Sequence, residues 1–417
     1  MITNDHPLPD SAALIGQGWG AGPDPGYAGL RQRFGPVFAR IRGGSVAREL
    51  DRTLPFAEIG WLKEAGFTAL RLPRDLGGAG ATLPELFALL IELSEADSNV
   101  TQALRAHVGF VEHVLNLPPG PRRDAWLPRL ARGDVVGGAW SETGEAKLAQ
   151  FSTRLLPDGD GWRLNGTKYY TTGSLFADWI HVSAADAEGE AIAATIARDT
   201  AGIEVVDDWD GIGQRLTASG TARFVDVAVP DAATVRGGPF GYSQAFYQLV
   251  HLATLAGIGR AAAGEVAAAV AARRRSYSHA AASRPAEDPQ VLQVVGQVRS
   301  AAYCAGAITL HAAEALQAAF VAHQAADTEA EATANAEADL EVAQAQTVVS
   351  DLILDATATL FDALGASATL RSTGLDRHWR NARTITSHNP RVYKDRIVGD
   401  FAVNGTPHPP QWRIGQP

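Results

Sequence analysis

The chain reads Trp162-Arg163-Leu164-Asn165-Gly166-Thr167-Lys168-Tyr169-Tyr170 near its middle, with apolar and polar residues alternating around an Asn-Gly pair. Alternation with a period of two is typical of a half-buried strand, and Asn-Gly supplies the positive φ angles of a type I′ turn. The stretch therefore predicts a β-hairpin that turns at Asn165-Gly166. Because the regions before and after it show helical patterns, the hairpin indicates a β-rich section inserted into a helical protein.

More strands are predicted close to this hairpin. Short apolar segments rich in β-branched residues occur at 179–184, 193–196 and 223–229. Short strands at close spacing are typical of a compact antiparallel domain or a small barrel. We therefore expect a central β domain at residues 135–235.

Helical patterns occupy the rest of the chain. In the N-terminal part, leucines recur at helical spacing over 83–93, and a turn-rich loop precedes them at 72–80. In the C-terminal part, alanine-rich helices are expected at 261–272, 301–326 and 342–364, and the acidic segment 327–341 reads as an exposed helix. The expected fold class is mainly α with a central β domain, divided into an N-terminal helical domain (1–134), the β domain (135–235) and a C-terminal helical bundle (236–417).

Composition excludes several classes of protein. The net charge of −10 argues against nucleic acid as the main partner, because phosphate binding usually needs a basic face. The single cysteine, Cys304, excludes an intramolecular disulfide, and its alanine-rich surroundings predict a buried position on a helix. Residues 1–6 do not resemble a signal peptide, and the run 237–259 is too polar for a membrane-spanning helix. The cytoplasm is the expected compartment, without a membrane partner.

The common nucleotide, metal and hydrolase motifs are missing from the sequence. There is no G-x-x-x-x-G-K-[ST] and no G-x-S-x-G, and Gly257-Ile258-Gly259 lacks the third glycine of a dinucleotide fingerprint. In an alanine-rich helix those two glycines predict a close contact with a neighbouring helix. His378 and His388 have no carboxylate in metal-ligand register, so no metal site is expected.

Hydroxyl and aromatic residues gather in two places in the predicted β domain, at 140–143 and 168–174. Hydroxyls at strand ends can hydrogen-bond the nitrogen and oxygen atoms of a planar heterocycle while an aromatic ring covers one face. The same residue types also occur in ordinary turns. Taken alone, the two clusters leave both interpretations open.

These segments, in this order, resemble the motifs of the acyl-CoA dehydrogenase superfamily over most of the chain after about residue 50. The motifs are the loop 73–80, Ala139 to Thr143, Leu164-Asn165-Gly166-Thr167-Lys168 to Gly173, and Gly213-x-Arg215-x-Thr217-x-Ser219-Gly220 before Phe224-x-Asp226-Val227. The resemblance implies an N-terminal helical domain, a β-barrel-like middle domain and a C-terminal four-helix bundle, assembled as a homotetramer. It also implies a bound flavin.

The dehydrogenases of this superfamily remove the substrate α-proton with a carboxylate, and the chain lacks that base. No glutamate follows Glu341, which excludes the position on the C-terminal loop. Residues 242–262 contain neither Asp nor Glu, and Tyr247 falls near the other position where the carboxylate would lie. A general base must come within hydrogen-bond distance of the proton that it removes. The missing carboxylate therefore argues against the usual dehydrogenase reaction.

The C-terminal run Asp376-Arg377-His378-Trp379-Arg380-Asn381-Ala382-Arg383-Thr384-Ile385-Thr386-Ser387-His388-Asn389-Pro390 is similar to that of the flavin-dependent monooxygenase branch, which includes the dibenzothiophene monooxygenases. That resemblance implies a two-component monooxygenase. Reduced FMN from a separate flavin reductase would react with O2, and the resulting C4a-(hydro)peroxyflavin would oxygenate a small organic substrate that contains sulfur, nitrogen or an aromatic ring. Alternatives are an atypical FAD-dependent acyl-CoA dehydrogenase and a scaffold that has lost its flavin.

The resemblance also implies roles for particular residues. His388 and His107 correspond to the two catalytic histidines. Residues that correspond to cofactor-binding positions are Trp140, Ser141, Thr143, Tyr170, Thr172, Arg284, Arg371, Asn381 and Arg383. The sequence departs from the branch at Ile385, where the motif has another histidine, and at Ser367, where it has an arginine that Arg371 is close enough to replace.

Overall fold

The computed structural model describes residues 18–20, 22–143 and 151–409, so the prediction about the N-terminal signal lies outside the described residues. Helices and one sheet make up the described chain, as an acyl-CoA dehydrogenase-like fold requires. The helices before the sheet are α1 (Tyr27–Gly43), α2 (Ser45–Asp51), α3 (Phe56–Glu64), α4 (Leu83–Ala96), α5 (Ser98–Ala103), α6 (Arg105–Asn116) and α7 (Pro121–Ala131).

Local sequence explains the best-predicted helix, α4. The Thr82 side chain accepts a hydrogen bond from the backbone N–H of Glu85, and the Glu85 carboxylate accepts one from the Thr82 N–H. This capping box satisfies two N–H groups that the first turn would otherwise leave unpaired. Nearly every side chain of α4 is buried, so the leucine pattern at 83–93 is confirmed as a core helix.

The sheet has eight strands in the described chain, and the path β6-β7-β3-β2-β4-β5-β8 orders seven of them. They are β1 (Val136–Ala139), β2 (Arg154–Asp158), β3 (Gly161–Lys168), β4 (Trp179–Ala185), β5 (Ala191–Ala197), β6 (Ile203–Val205), β7 (Ala222–Pro230) and β8 (Thr234–Val235). β4 pairs in parallel with both β1 and β2, so the expectation of a purely antiparallel domain is wrong. The domain boundaries at 134/135 and 235/236 stay predictions.

The predicted turn at Asn165-Gly166 is wrong, because both residues lie inside β3. The hairpin between β2 and β3 turns at 158–161 instead, where Gly159 has a φ of 64°. Asn165-Gly166 forms an irregularity in the pairing of β3 with β7, and the Asn165 side chain bonds the backbone N–H of Asp226 at 2.8 Å. A side chain at Gly166 would overlap Thr153, which explains the glycine. β7 runs along most of β3, and this continuous pairing leaves no room for a turn there.

After the sheet the chain forms a bundle of long helices. They are α8 (Ser243–Ala272), α9 (Pro289–Gln324) and α10 (Thr328–Thr359), followed by the shorter α11 (Asp376–Thr386) and α12 (Lys394–Asn404). The Asp327 side chain caps α10, so the acidic segment 327–341 is confirmed as part of a helix. Cys304 lies on α9 but is exposed, so the prediction of a buried cysteine is wrong. Its burial depends on which face of α9 the bundle covers.

Two bundle helices, α8 and α9, are long and apolar enough in composition to cross a membrane. The most apolar 18-residue window of α8 is 56% buried inside the protein. α8 packs against α4, α9, α10 and α11, so its apolar surface is used in the core. Composition of this kind is common in core helices and is weak evidence for a membrane span.

The three glycines of α8 permit a direct test of its packing. A Cβ on Gly257 would overlap the Ser94 side chain and lie 2.6 Å from the Ile91 carbonyl oxygen, whereas a Cβ on Gly264 meets no atom within 4 Å. We expect Gly257→Ala to lower the free energy of unfolding by about 1–3 kcal/mol through overpacking. Gly264→Ala, the matched control, should raise it by about 0.5–1 kcal/mol because alanine favours the helix. Chemical denaturation of both variants measures this, and equal effects would contradict the close contact.

Candidate active site

The junction between α5 and α6 lies between the sheet and α8. A side chain on Gly173, just after β3, would overlap the Ala103 carbonyl, and one on Gly138 of β1 would lie 3.1 Å from the Ala106 Cβ. On the other side, the Tyr247 ring of α8 covers Gly109. These three close approaches bring the ends of two strands, the start of α6 and the start of α8 together.

A chain of hydroxyl groups lies at the strand end. Thr172 Oγ1 is 2.7 Å from Ser219 Oγ, which is 2.7 Å from Thr217 Oγ1, and Thr217 donates to the Gln214 carbonyl at 2.8 Å. A carbonyl only accepts, and each hydroxyl has a single proton to donate. Ser219 must therefore donate to Thr217, and Thr172 must donate to Ser219. The Thr172 oxygen is left as an acceptor for a further partner.

Unusual backbone conformations surround this hydroxyl chain. Tyr170, Gln214 and Ala218 have φ values of 60°, 52° and 48°. A positive φ is uncommon for residues other than glycine and tends to occur at functional sites. The ring of Tyr170 is 53% exposed and packs edge-on against Trp209 at 6.0 Å. Tyr170 therefore presents an aromatic surface two residues before Thr172.

A buried ion pair holds the loop that carries Trp140, Ser141 and Thr143. Lys168 Nζ donates to Glu142 Oε1 at 2.7 Å and to the Trp140 carbonyl at 3.1 Å. Burial lowers the pKa of Lys168 to about 8. Burial works in the other direction for Glu142, but its bonds with Lys168, Ser152 and Thr153 bring its pKa to about 2. Within this loop Trp140 is 42% exposed, Ser141 accepts from the Tyr169 N–H with its carbonyl, and Thr143 is exposed.

The C-terminal motif is attached to the hydroxyl chain through Asn381. The Asn381 Oδ1 accepts from the Gln214 N–H at 2.6 Å, and its Nδ2 donates to Ser98 at 3.3 Å. Arg380 donates to the Ile212 carbonyl at 2.9 Å, and a side chain on Gly213 would overlap the backbone of α11. Asn381 is 3% exposed, so its geometry is that of a residue that positions the loop 212–219.

The arginines assigned to the cofactor are all exposed. Arg284 approaches Glu287 at 3.6 Å, and the guanidinium groups of Arg371 and Arg383 make no hydrogen bond within the described ranges. Arg377 and His378, by contrast, bind Glu265 of α8 and fix α11 to the bundle. In the single chain, Arg284, Arg371 and Arg383 are therefore exposed cations. Arg377 and His378 of the C-terminal motif instead hold α11 against α8.

His388 lies beside a second histidine that the sequence did not single out, His251 of α8. The two ring centroids are 4.3 Å apart. The Asn389 amide donates to Gln248, so its oxygen accepts from His388 Nδ1 at 2.9 Å, and the Nε2 atom of neutral His388 carries the lone pair. His388 reaches solvent, but the surrounding protein and the charge of Arg105 lower its pKa to about 3.

His251 is 1% exposed and is only partly satisfied. The Gln102 amide lies 3.3 Å from His251 Nε2, while His251 Nδ1 and Gln102 Oε1 have no partner in the part of the chain that is described. Burial holds the pKa of His251 well below its ordinary value. The only sequence signal for this residue was a histidine in an otherwise apolar helix. Such a residue is more often a satisfied core histidine.

His107 has a different environment from the one that the motif implied. Its Nε2 donates to the Thr68 carbonyl at 2.8 Å, and its Nδ1 accepts from the Val136 N–H at 3.3 Å. Burial lowers its pKa to about 4. Both ring nitrogens are therefore occupied by backbone groups that tie α6 to β1. In this conformation His107 has no free nitrogen with which to exchange a proton.

Arg105 completes the site. Its Nε donates to the Tyr247 carbonyl at 3.2 Å, its guanidinium lies 4.9 Å from the centre of the Tyr247 ring, and its charge acts on both His251 and His388. We call the group of neighbouring side chains Arg105, Tyr247, His251 and His388 the histidine recess. The α5–α6 junction connects it with the hydroxyl chain.

Comparisons with known proteins show the family of the chain. Residues 38–134 match the N-terminal domain of acyl-CoA dehydrogenase and residues 249–391 match its C-terminal domain. The chain is 30% identical to SfnC of Pseudomonas putida, a probable FMNH2-dependent monooxygenase, over 92% of this chain and 95% of that one.

Two solved structures resemble the fold closely. FMN-bound TdsC, a dibenzothiophene monooxygenase from Paenibacillus sp. A11-2, has a TM-score of 0.81 at 27% identity and covers 90% of this chain and 97% of its own. The methanesulfinate monooxygenase MsuC of Pseudomonas fluorescens has a TM-score of 0.83 at 27% identity, with coverage of 91% and 98%. The resemblance inferred from the motifs is confirmed: the chain belongs to the acyl-CoA dehydrogenase superfamily, in the branch that contains the flavin-dependent monooxygenases.

Proposed function

We propose that this protein is a two-component flavin-dependent monooxygenase that uses reduced FMN and O2 to oxygenate a small organic substrate. The histidine recess carries the proposal. It presents an arginine, a tyrosine and two histidines, and no carboxylate of the described residues pairs with Arg105 there. This residue set can donate hydrogen bonds to oxygen atoms, but it lacks the carboxylate base that removes a carbon-bound proton.

The residues around the hydroxyl chain fit a reduced flavin. Thr172 offers an acceptor oxygen, and the N5 atom of a reduced isoalloxazine carries a proton whereas that of an oxidised ring does not. The exposed rings of Trp140 and Tyr170 offer apolar surface for a planar heterocycle. Bound reduced FMN would supply the two electrons that split O2, with one oxygen atom going to the substrate and the other to water.

The protein's own residues would control protons and water around that chemistry. Neutral His388 carries a lone pair on Nε2, so this atom can accept a hydrogen bond from a protonated oxygen atom at neutral pH. His251 lies behind His388 and orients it, so we assign His251 as a positioning residue and His107 as a structural one. Arg105 and Tyr247 form the opposite wall.

The atypical FAD-dependent dehydrogenase is the second candidate, and the geometry disfavours it. Burial raises the pKa of Tyr247, so the phenol keeps its proton and is no base. Glu142 pairs with Lys168 and Glu265 with Arg377, and the pKa of each carboxyl is about 2. Carboxylates this weakly basic are poor acceptors for an α-proton.

Two partners belong to the proposal. Reduced FMN would come from a separate flavin reductase; the SfnC relative is named as a probable FMNH2-dependent enzyme, which supports the use of reduced FMN. We also propose a homotetramer in which Arg284 binds the flavin phosphate of a neighbouring subunit, since the arginine is exposed in one chain. Arg371 and Arg383, which are also exposed, would bind the flavin of their own subunit.

Rapid mixing of the protein–reduced FMN complex with isotopically labelled dioxygen tests the function. We expect slower, two-phase flavin oxidation compared with free FMN, and one labelled oxygen atom in the product of a panel of sulfinates, thiophenes, indoles and amines. Flavin bleaching by an acyl-CoA without oxygenated product would favour the dehydrogenase. No binding of FMN or FAD would leave only a scaffold.

A further inference from the structure

Arg105 has unused hydrogen-bonding capacity next to the reacting histidines. A guanidinium has five N–H donors, and within the described ranges the Arg105 side chain uses only Nε, toward the Tyr247 carbonyl. Its two terminal nitrogens donate to no other described group, and no acidic residue is among the causes of its pKa shift. Burial lowers that pKa to about 10, so Arg105 remains a cation at neutral pH.

His251 supplies a second unused hydrogen-bond donor near Arg105. Because the Gln102 amide lies against His251 Nε2, the proton of neutral His251 is on Nδ1, and this atom has no partner among the described residues. His251 is 1% exposed, and an unsatisfied buried donor is costly unless a ligand or water meets it. Arg105 lies close enough to His251 for its charge to lower the pKa of that histidine, so a partly buried cation and a buried N–H, both without an acceptor among the described residues, are neighbours.

We propose that Arg105 is the substrate-specificity residue and binds an anionic group of the substrate, a sulfinate, sulfonate or carboxylate. This inference rests on the proposed function and deepens it by naming the substrate class. An oxyanion has acceptor oxygens and no donors, which matches what Arg105 and His251 lack. The planar guanidinium fork suits two oxygens of one such group, and the start of helix α6 at Arg105 adds partial positive charge.

The position of Arg105 separates this role from binding of the flavin phosphate. The arginines assigned to the phosphate, Arg284 and Arg371, are exposed at the surface, whereas Arg105 is partly buried and acts on His388. An anion held by Arg105 would lie next to the residue that handles the proton. We therefore expect the anionic group of the substrate to bind beside Arg105 and not at the arginines assigned to the flavin phosphate.

Equilibrium binding of matched probes tests the proposal without turnover. Calorimetric titration of the oxidised-FMN complex would compare methanesulfonate and acetate, two anions, with dimethyl sulfone, which has a similar shape to methanesulfonate but no charge. In the wild-type protein we expect the preferred anion to bind roughly 10- to 100-fold more tightly than dimethyl sulfone. The two anions distinguish a sulfur oxyanion from a carboxylate.

Two variants locate the effect. Arg105→Gln should abolish the preference for the anion and leave FMN affinity within roughly 3-fold, whereas Arg105→Lys should keep part of it because the charge remains without the fork. Equal binding of the neutral and anionic probes to wild type, no binding of any probe, or loss of FMN binding in Arg105→Gln with the preference intact would each overturn the proposal. The wild-type comparison decides the matter even if a variant fails to fold. Because no oxygen is used, a failure to oxygenate would not affect this result.

Discussion

Replacing His388 by alanine is expected to lower the rate of substrate oxygenation by about 10²- to 10³-fold, the usual contribution of a positioned proton-transfer group. The imidazole reaches solvent and its one side-chain bond is to the adjacent Asn389, so its loss should leave the fold intact. Oxygen would still react with reduced FMN, and more of the electrons should end in hydrogen peroxide. The ratio of product to peroxide per reduced FMN measures this.

Two variants make the His388 experiment specific. Ser387→Ala changes the preceding exposed residue, whose hydroxyl only bonds the Arg383 carbonyl, and should keep the wild-type ratio. His251→Asn should lower product formation less than His388→Ala does, because it removes a positioning contact. If His388→Ala keeps full coupling while His107→Gln loses it, the assignment of the two histidines must be exchanged.

Replacing Glu112 by alanine is expected to cause the largest loss of stability, about 3–5 kcal/mol in the free energy of unfolding. Glu112 is fully buried and accepts two hydrogen bonds from Arg71, each at 3.0 Å, and one from the Tyr242 hydroxyl at 2.6 Å. Without the carboxylate, the Arg71 cation stays buried and unpaired, since arginine does not lose its proton in proteins. Chemical denaturation monitored by circular dichroism measures the effect.

A surface ion pair supplies the control for Glu112. Glu204 pairs with Arg223 between β6 and β7, and both side chains are exposed. Glu204→Ala should change stability by less than about 1 kcal/mol. Replacing both buried partners, in Arg71→Met with Glu112→Leu, should recover part of the loss because no charge remains buried. A loss for Glu112→Ala no larger than that for Glu204→Ala would show that the buried pair is not needed for stability.

Patterns that act over a few residues were read correctly from the sequence. The leucines of α4 with their Thr82–Glu85 capping box, and the Asp327 cap of α10, show helices whose signals are local. Asn165-Gly166 is a case in which the local pattern predicts the wrong structure. The pair favours positive φ wherever it occurs, but the neighbouring strand β7 determined that it would form an irregularity inside β3. Cys304 was misplaced for a similar reason, since its exposure depends on the packing of α9.

The candidate site divides in the same way. Its motifs identified the superfamily and the absence of a glutamate base, because these are properties of residue type and order, and they predict Thr172 and His388 as site residues. The roles of the other residues depend on contacts between distant parts of the chain. Thr68 and Val136 occupy both nitrogens of His107, and Gln102 meets His251 across 149 residues of sequence.

The sequence by itself therefore determined the fold class, the superfamily and the missing base. Only the tertiary structure decided that the His251 ring packs against the His388 ring and that the two terminal nitrogens of Arg105 have no acceptor among the described residues. The physical reason is that hydrogen-bond satisfaction belongs to the folded molecule. A side chain's donors and acceptors are known from its type, but whether they are used depends on backbone groups that folding brings from other elements.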